Sequence, residues 1–339
     1  MMKQQTILFI LKNKNEASSR FRVLSYLPYL ENDFNYSLFY AEYNNKKVPK
    51  ILRSVIKRFR FLNLLFQAKK HDIIFMQRPM SSDKSKSTFF ESLLKKVNPN
   101  IIFDFDDALF VQNEQKIKSL ISLSKACICG NDYLASFAKK YNPHTHIIPT
   151  PIDTNKFKPA SSKTSKKLSI GWTGTSGNYD FFTKELINAL KITLQKYQDT
   201  IDFVFICDRK PPERFDFDYT FIQWRDESEV MDLQNIDIGL MPLIDSAWTK
   251  GKCGFKLIQY GSIGIASLAS DVGVNKDVVL DSQTGYIIDN EQQWLEKLEA
   301  LITNPSLREE MGRKASEHIQ KHYSVKENYP KLKTLLQHL

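Results

Sequence analysis

A chain of 339 residues, 42% of them hydrophobic, is more than one core usually organises and suggests two domains of ordinary size. Its 48 Lys and Arg against 38 Asp and Glu leave a net charge of +10, which favours an anionic partner without choosing among phosphate ligand, membrane surface and nucleic acid. Cys127, Cys129, Cys207 and Cys253 lack the spacing of a zinc site or a disulfide framework, "TILFIL" is shorter than a signal-peptide core, and no apolar run approaches the roughly eighteen residues of a span. The expectation is a cytoplasmic chain, soluble or attached to a membrane only from outside.

The first element is the strand "TILFIL", followed by "NEASSRFRVLSYLPYLE", which reads as a helix capped by Ser18 or Ser19 with Arg20 and Arg22 in its first turn. Cations are disfavoured at that end, so an anion-facing role is expected for Arg20, against a surface pair or a contact with the preceding loop. Next comes "NNKKVPKILRSVIKRFRFLNLLFQAKK", basic and apolar together, from Lys46, Lys47 and Lys50 through Arg53, Lys57, Arg58 and Arg60 to Lys69 and Lys70. Such a helix lies on an anionic bilayer or packs on a sheet with a solvated basic face.

The strand "DIIFMQ" ends at Arg78, and "IIFDF" is followed by Asp106 and Asp107, with Asp104 inside it. Three carboxylates so close need cations, N–H groups or a metal nearby. They could form a metal-binding Asp-x-Asp, cap a helix through Asp107, or take ligand hydroxyls in a cleft. "ACICG", the helical "NDYLASFAKKY" and "HIIPTPI" complete this half, and the Lys- and Ser-rich stretch 156–167 reads as a linker.

The alternation then restarts with "LSIGWTG", "DFVFICD", "YTFIQW", "DIGLMPL" and "IASLAS". Two α/β halves with parallel sheets and crossover helices follow. "DSAWTKGKCGFKLIQYGSIG" places Lys250, Gly251, Lys252 and Gly254 before a helix that opens at Phe255, with Lys256 in its first turn. Strand-to-helix loops of parallel sheets hold ligands, and a helix amino terminus suits phosphate. A basic solvated turn is the plain alternative. Trp172 and Trp224 read as core or cleft wall rather than base-stacking platforms, and no Ser-His-Asp or Cys-His pair has a usable spacing. The end of the chain is helical, with a break expected near Pro330.

The stretch 237–270, together with "SDVG" at 270–273, "TGYII" at 284–288 and "PTPIDTNKFKP" at 149–159, resembles the retaining family 4 nucleotide-sugar glycosyltransferases (glycosyl transferases group 1). The resemblance implies the α/β GT-B fold, two Rossmann-like domains facing a central cleft. It implies an acceptor domain over 1–155, a nucleotide-sugar donor domain over 156–318, and a terminal helix, 319–339, crossing back. The family's two glutamates fall on Gly251 and Gln259, and the usual Arg and Lys of the loop after "LSIGWTG" are missing.

Carried onto these positions, the resemblance implies donor contacts from Thr173, Gly174, Thr175, Gly251, Gly254, Phe255, Lys256 and Gln259. Lys252, Arg20 and Asp106 would act on the reacting groups, and Arg78 and Asp107 on the acceptor side. No metal and no cofactor are expected, the nucleoside-diphosphate sugar being a substrate. The implied activity is retaining, metal-independent sugar transfer to a saccharide or lipid-linked hydroxyl in bacterial envelope polysaccharide or glycan synthesis. An anionic membrane surface on the cytoplasmic face is an expected partner and nucleic acid is not. The alternative is a non-catalytic nucleotide-sugar-binding relative.

Overall fold

A computed structural model describes residues 4–43, 48–80, 85–160 and 167–339. Lys46 and Lys47, and residues 161–166 of the expected linker, lie outside the described residues. The chain forms two compact units, one of residues 1–151 with 328–339, the other of residues 152–327. Each is built on a six-stranded, all-parallel sheet, the doubly wound arrangement of a GT-B chain.

In the first unit the elements run β1 (Thr6–Leu11), α1 (Ala17–Arg22), α2 (Leu27–Leu30), β2 (Asn35–Tyr40), α3 (Lys50–Lys70), β3 (Ile73–Gln77), α4 (Phe89–Val97), β4 (Ile101–Phe105), α5 (Leu109–Leu123), β5 (Ala126–Cys129), α6 (Asp132–Ala138) and β6 (Thr145–Ile147). The strand order is β2-β1-β3-β4-β5-β6, so the direction of winding reverses between β1 and β3. β3, β4 and β5 are buried at every position, as strands covered on both faces by helices should be.

The helix expected over "SRFRVLSYLPYLE" is three short pieces. It breaks at Val23, whose φ of −131° and ψ of −59° are not helical, and resumes as a 3-10 turn and then α2, with Pro28 in its first turn. Arg20 and Arg22 therefore sit in the last turn of α1, where a cation is favoured, and not in the first. Neither serine caps it; Glu16 stands at the cap position, and Ser18 turns to an aspartate.

The second unit runs β7 (Leu168–Gly174), α7 (Lys184–Lys196), β8 (Ile201–Cys207), β9 (Thr220–Gln223), α8 (Glu229–Gln234), β10 (Ile238–Met241), α9 (Ala247–Lys250), α10 (Phe255–Ser262), β11 (Ala266–Ser270), α11 (Asn275–Val278), β12 (Gly285–Ile288), α12 (Glu291–Thr303) and α13 (Pro305–Tyr323). Its order, β12-β11-β10-β7-β8-β9, reverses between β7 and β10. The core beside β7 and β8 is aromatic. Trp172, Tyr179, Phe182, Phe205 and Phe215 meet largely edge to face at centroid distances of 5.1–6.1 Å, a packing worth about 0.5–1.5 kcal/mol per pair beyond the area buried.

A final helix, α14 (Val325–Gln337), closes the chain. The break before it falls at Ser324, whose extended backbone separates it from α13 and whose hydroxyl accepts from Glu327 N at 3.2 Å; Pro330 lies inside the helix. From Asn328 onward this helix belongs to the first unit. There Tyr329 and Lys333 both donate to Asp33 at 2.6 Å, and these hydrogen bonds hold its carboxyl below the usual carboxylate range. A depressed carboxylate adds stability above its unfolded pKa of about 4, and loses it as pH falls through the lower folded value. Asp33→Asn should therefore be less stable than the parent at pH 7, and the difference should close in urea titrations as pH falls through the lowered carboxylate titration. Among the described residues no helix is long and apolar enough to cross a membrane.

Candidate functional site

Ligands of open parallel sheets gather at the carboxyl ends of the strands where the winding reverses. In the second unit that place is the end of β7 and the loop from β10 into α10. Gly254 opens α10 with φ of 63° and ψ of 22°, a left-handed conformation that strains any residue with a Cβ. A Cβ there would also stand 3.1 Å from Val278 Cγ2 and 3.2 Å from Val274 Cγ2. The usual capping side chains are thus kept out, no side chain caps the helix, and its first turn contains no acid. Its partial positive end is left with lysines beside it.

The end of β7 and the start of α10 are fastened to one another. Thr173 donates its N–H to the Tyr260 hydroxyl at 3.0 Å, in a fully buried contact. Lys256 lies with its ammonium 5.6 Å from the Trp172 ring, and a Cβ on Gly174 would meet Trp172 at 2.6 Å and Lys256 Cε at 2.9 Å. Gly174 is therefore required by close approach. Lys252, half-buried, sits 5.3 Å from the Trp248 ring and 5.9 Å from Phe181, the latter in the 3-10 turn that follows β7. Phe255 is half-buried at the helix opening. Lys250 points elsewhere, paired with Asp245 at 3.1 Å.

Three of the expected donor residues have hydrogen-bond partners within the chain. Gly251 has an ordinary helical backbone and spends its N–H on Trp248 O at 3.2 Å, closing α9. Thr175 is exposed, and its hydroxyl accepts from Asn178 at 3.2 Å. Gln259 is buried and donates to Glu229 Oε1 at 3.0 Å, the oxygen that also receives Trp224 Nε1 at 3.3 Å. Glu229 is the residue the sequence reading missed: it stands thirty positions before Gln259, and only the fold brings the carboxylate back beside the place the resemblance assigns to a glutamate. The loop after β7 is also tied to Asp208, which accepts from Ser176 N at 2.6 Å. Burial opposes ionisation of Asp208, but the Ser176 N–H and hydroxyl help hold it below the usual range.

In the first unit the reversal point, between β1 and β3, carries a network of charges. Arg22 is 2% exposed and clamps Asp104, 1% exposed, through Nε at 2.7 and 3.0 Å, while Nη1 donates to Ile148 O and Thr150 Oγ1 at 3.1 and 3.2 Å. Arg78 has φ of 66°, a conformation few non-glycine residues adopt, and donates to Asp106 Oδ1 at 3.1 Å and to Asp107. Ser18 Oγ donates to Asp106 Oδ2 at 2.6 Å.

Burial works against Asp106, yet Arg78, Arg22 and Ser18 together keep its carboxyl below the usual range. The three aspartates thus divide between two arginines. Asp107 does not cap α5, whose cap position is Ala108, and no group of three metal-ligating side chains occurs among the described residues. Arg20, half-buried, lies over the Phe21 ring at 4.7 Å.

Residues 218–318 match the family model described as Glycosyl transferases group 1. No curated protein matches the chain. Among solved structures it is similar to sucrose-phosphate synthase from Thermosynechococcus elongatus (TM-score 0.78, 11% identity, 99% of each chain covered). It is also similar to HepE of Anabaena, solved with UDP and glucose (TM-score 0.74, 12% identity, 99% of this chain and 100% of that one), and to a glycosyltransferase from Rickettsia africae (TM-score 0.67, 12% identity, 98% of each). These likenesses show the fold.

Proposed function

We propose that this chain, a GT-B protein whose residues 218–318 match the glycosyl transferases group 1 family, transfers a sugar from a nucleoside-diphosphate sugar to an acceptor hydroxyl. The observation that carries the reading is the opening of α10. A left-handed glycine excludes capping side chains, the first turn has no acid, and Lys252 and Lys256 stand on either side of it over aromatic rings. A diphosphate is the ligand such an arrangement suits.

In the reaction, the bond between the anomeric carbon and the diphosphate oxygen breaks and the diphosphate leaves with the electron pair. Preorganised positive charge at that spot lowers the barrier more than it aids ground-state binding. The acceptor oxygen bonds to the anomeric carbon on the same face, and its proton passes to the departing phosphate oxygen. Anomeric configuration is retained, and neither a protein nucleophile nor a metal is called for. Arg78, Asp106 and Asp107 of the first unit, rigidly paired, take the acceptor hydroxyls in this reading, and Glu229 joins Gln259 on the donor side. The setting proposed is cytoplasmic synthesis of an envelope polysaccharide or glycan, which the four free thiols suit.

A thermal-shift series with UDP, ADP, GDP and their glucose conjugates tests the reading, because a ligand of the folded state raises Tm with concentration. One diphosphate should raise it, equally with and without chelator, and its conjugate should be consumed when acceptor is present. No shift from any diphosphate, or a shift abolished by chelator, would overturn it. Binding with neither transfer nor hydrolysis would leave the non-catalytic relative, a reading favoured by Gly251, which supplies no carboxylate.

A further inference from the structure

α3 has two unlike faces. Leu64 and Ala68 are fully buried, and Arg60 turns inward, donating to Tyr40 O at 2.5 Å and lying 5.2 Å from the Phe39 ring. Leu52, Val55, Phe59, Leu62 and Phe66, spaced alternately three and four apart, remain 39–68% exposed along the helix. Alternating steps of three and four keep side chains on one side of a helix, so these form one stripe. Phe89 and Phe90 of α4, 60% and 42% exposed, add apolar surface beside α3, to which Phe90 is joined through the Phe61 ring at 4.6 Å.

Charge decides what covers the stripe. The span Lys50–Lys70 holds seven Lys and Arg and no Asp or Glu. Lys57, Arg58, Lys69 and Lys70 are exposed, and the Lys70 ammonium rests 4.0 Å from the Phe66 ring. A second copy of this helix would bring like charges together, and an uncharged apolar partner would leave them without counterparts. An anionic lipid surface takes both at once: the phenylalanines enter the boundary between headgroups and acyl chains while the ammonium and guanidinium groups meet lipid phosphates. Exposed apolar patches of this kind mark interaction sites.

We propose that α3, with Phe89 and Phe90, is an in-plane anchor on an anionic bilayer. The proposal is independent of sugar transfer, since the stripe belongs to the first unit and none of its residues joins the donor loop. It also revises which cations act: Arg60, expected from sequence to face the lipid, holds α3 to β2, Arg53 is half-buried, and Lys57 stands on their side of the helix, so the exposed Arg58 and Lys70, beside the stripe, carry the test.

The full chain is sedimented with vesicles of phosphatidylcholine containing phosphatidylglycerol, and with vesicles of phosphatidylcholine alone. The parent should partition onto the anionic vesicles, and rising salt should release it. Arg58→Glu/Lys70→Glu and, separately, Phe59→Ser/Phe66→Ser should each lower that partition about tenfold or more, while Tm and the diphosphate-induced shift stay as in the parent. Because all four positions are exposed, loss of folding does not confound the result. Equal partition onto the neutral vesicles, none onto either, or unchanged partition of the phenylalanine variant would overturn the proposal. A solution dimer in sedimentation velocity that Phe59→Ser/Phe66→Ser dissolves would do so as well, assigning the stripe to a second copy.

Discussion

Arg22→Ala should destabilise the first unit by about 3–5 kcal/mol, because it breaks a buried ion pair by removing one partner. Removing the guanidinium leaves the Asp104 carboxyl, 1% exposed and already pushed above the usual carboxylate range by burial, without its partner in the interior of β4, so that it carries an unpaired charge or takes up a proton; it also strips donors from Ile148 O and Thr150 Oγ1. The effect comes from orphaning a buried charge more than from losing the pair's own attraction. Replacing both partners, Arg22→Met with Asp104→Leu, should therefore recover much of the loss. Urea unfolding followed by tryptophan-independent far-UV signal measures both. A double variant as unstable as Arg22→Ala would show that the pair, and not the orphaned carboxylate, carries the stability.

Lys252→Ala/Lys256→Ala should weaken binding of the preferred nucleoside diphosphate by about two to four orders of magnitude. Each charge-assisted hydrogen bond to phosphate contributes roughly 1.5–3 kcal/mol, and two are removed together. Stability should change little, because both side chains are only half-buried. Since charge develops on the diphosphate as it leaves, turnover should fall further than affinity for the intact donor. Calorimetric titration of the diphosphate and single-turnover rates separate the two. Unchanged affinity in the folded double variant would remove α10 from the phosphate site.

Lys252 and Lys256 are visible in the sequence because glycines, cations and the start of a helix are neighbours along the chain, and α10 forms from local signals. Glu229 is invisible there, since its meeting with Gln259 is a contact across thirty positions that depends on how α8 packs. Arg20 and Arg22 show the same limit at shorter range. Their charge suggests an anion, but which arginine turns inward depends on where α1 stops, and Val23 stops it after six residues.

β2 is another instance. "NYSLFY" has one buried position in six because it is an edge strand, so it lacks the continuous apolar run that announced β3, β4 and β5. In α3 the basic and apolar composition is plain from sequence, whereas the division of its cations into inward Arg60 and outward Lys57 and Arg58 is not. What the sequence by itself determined is the doubly wound α/β character of both halves and the basic, glycine-marked opening of α10, because buried parallel strands and helix starts are written in runs of adjacent residues. What only the tertiary structure decided is the pairing of Arg22 with Asp104, of Arg78 with Asp106 and Asp107, and of Gln259 with Glu229. A buried charge takes whichever partner the strand order delivers, and that order is a property of the folded sheet.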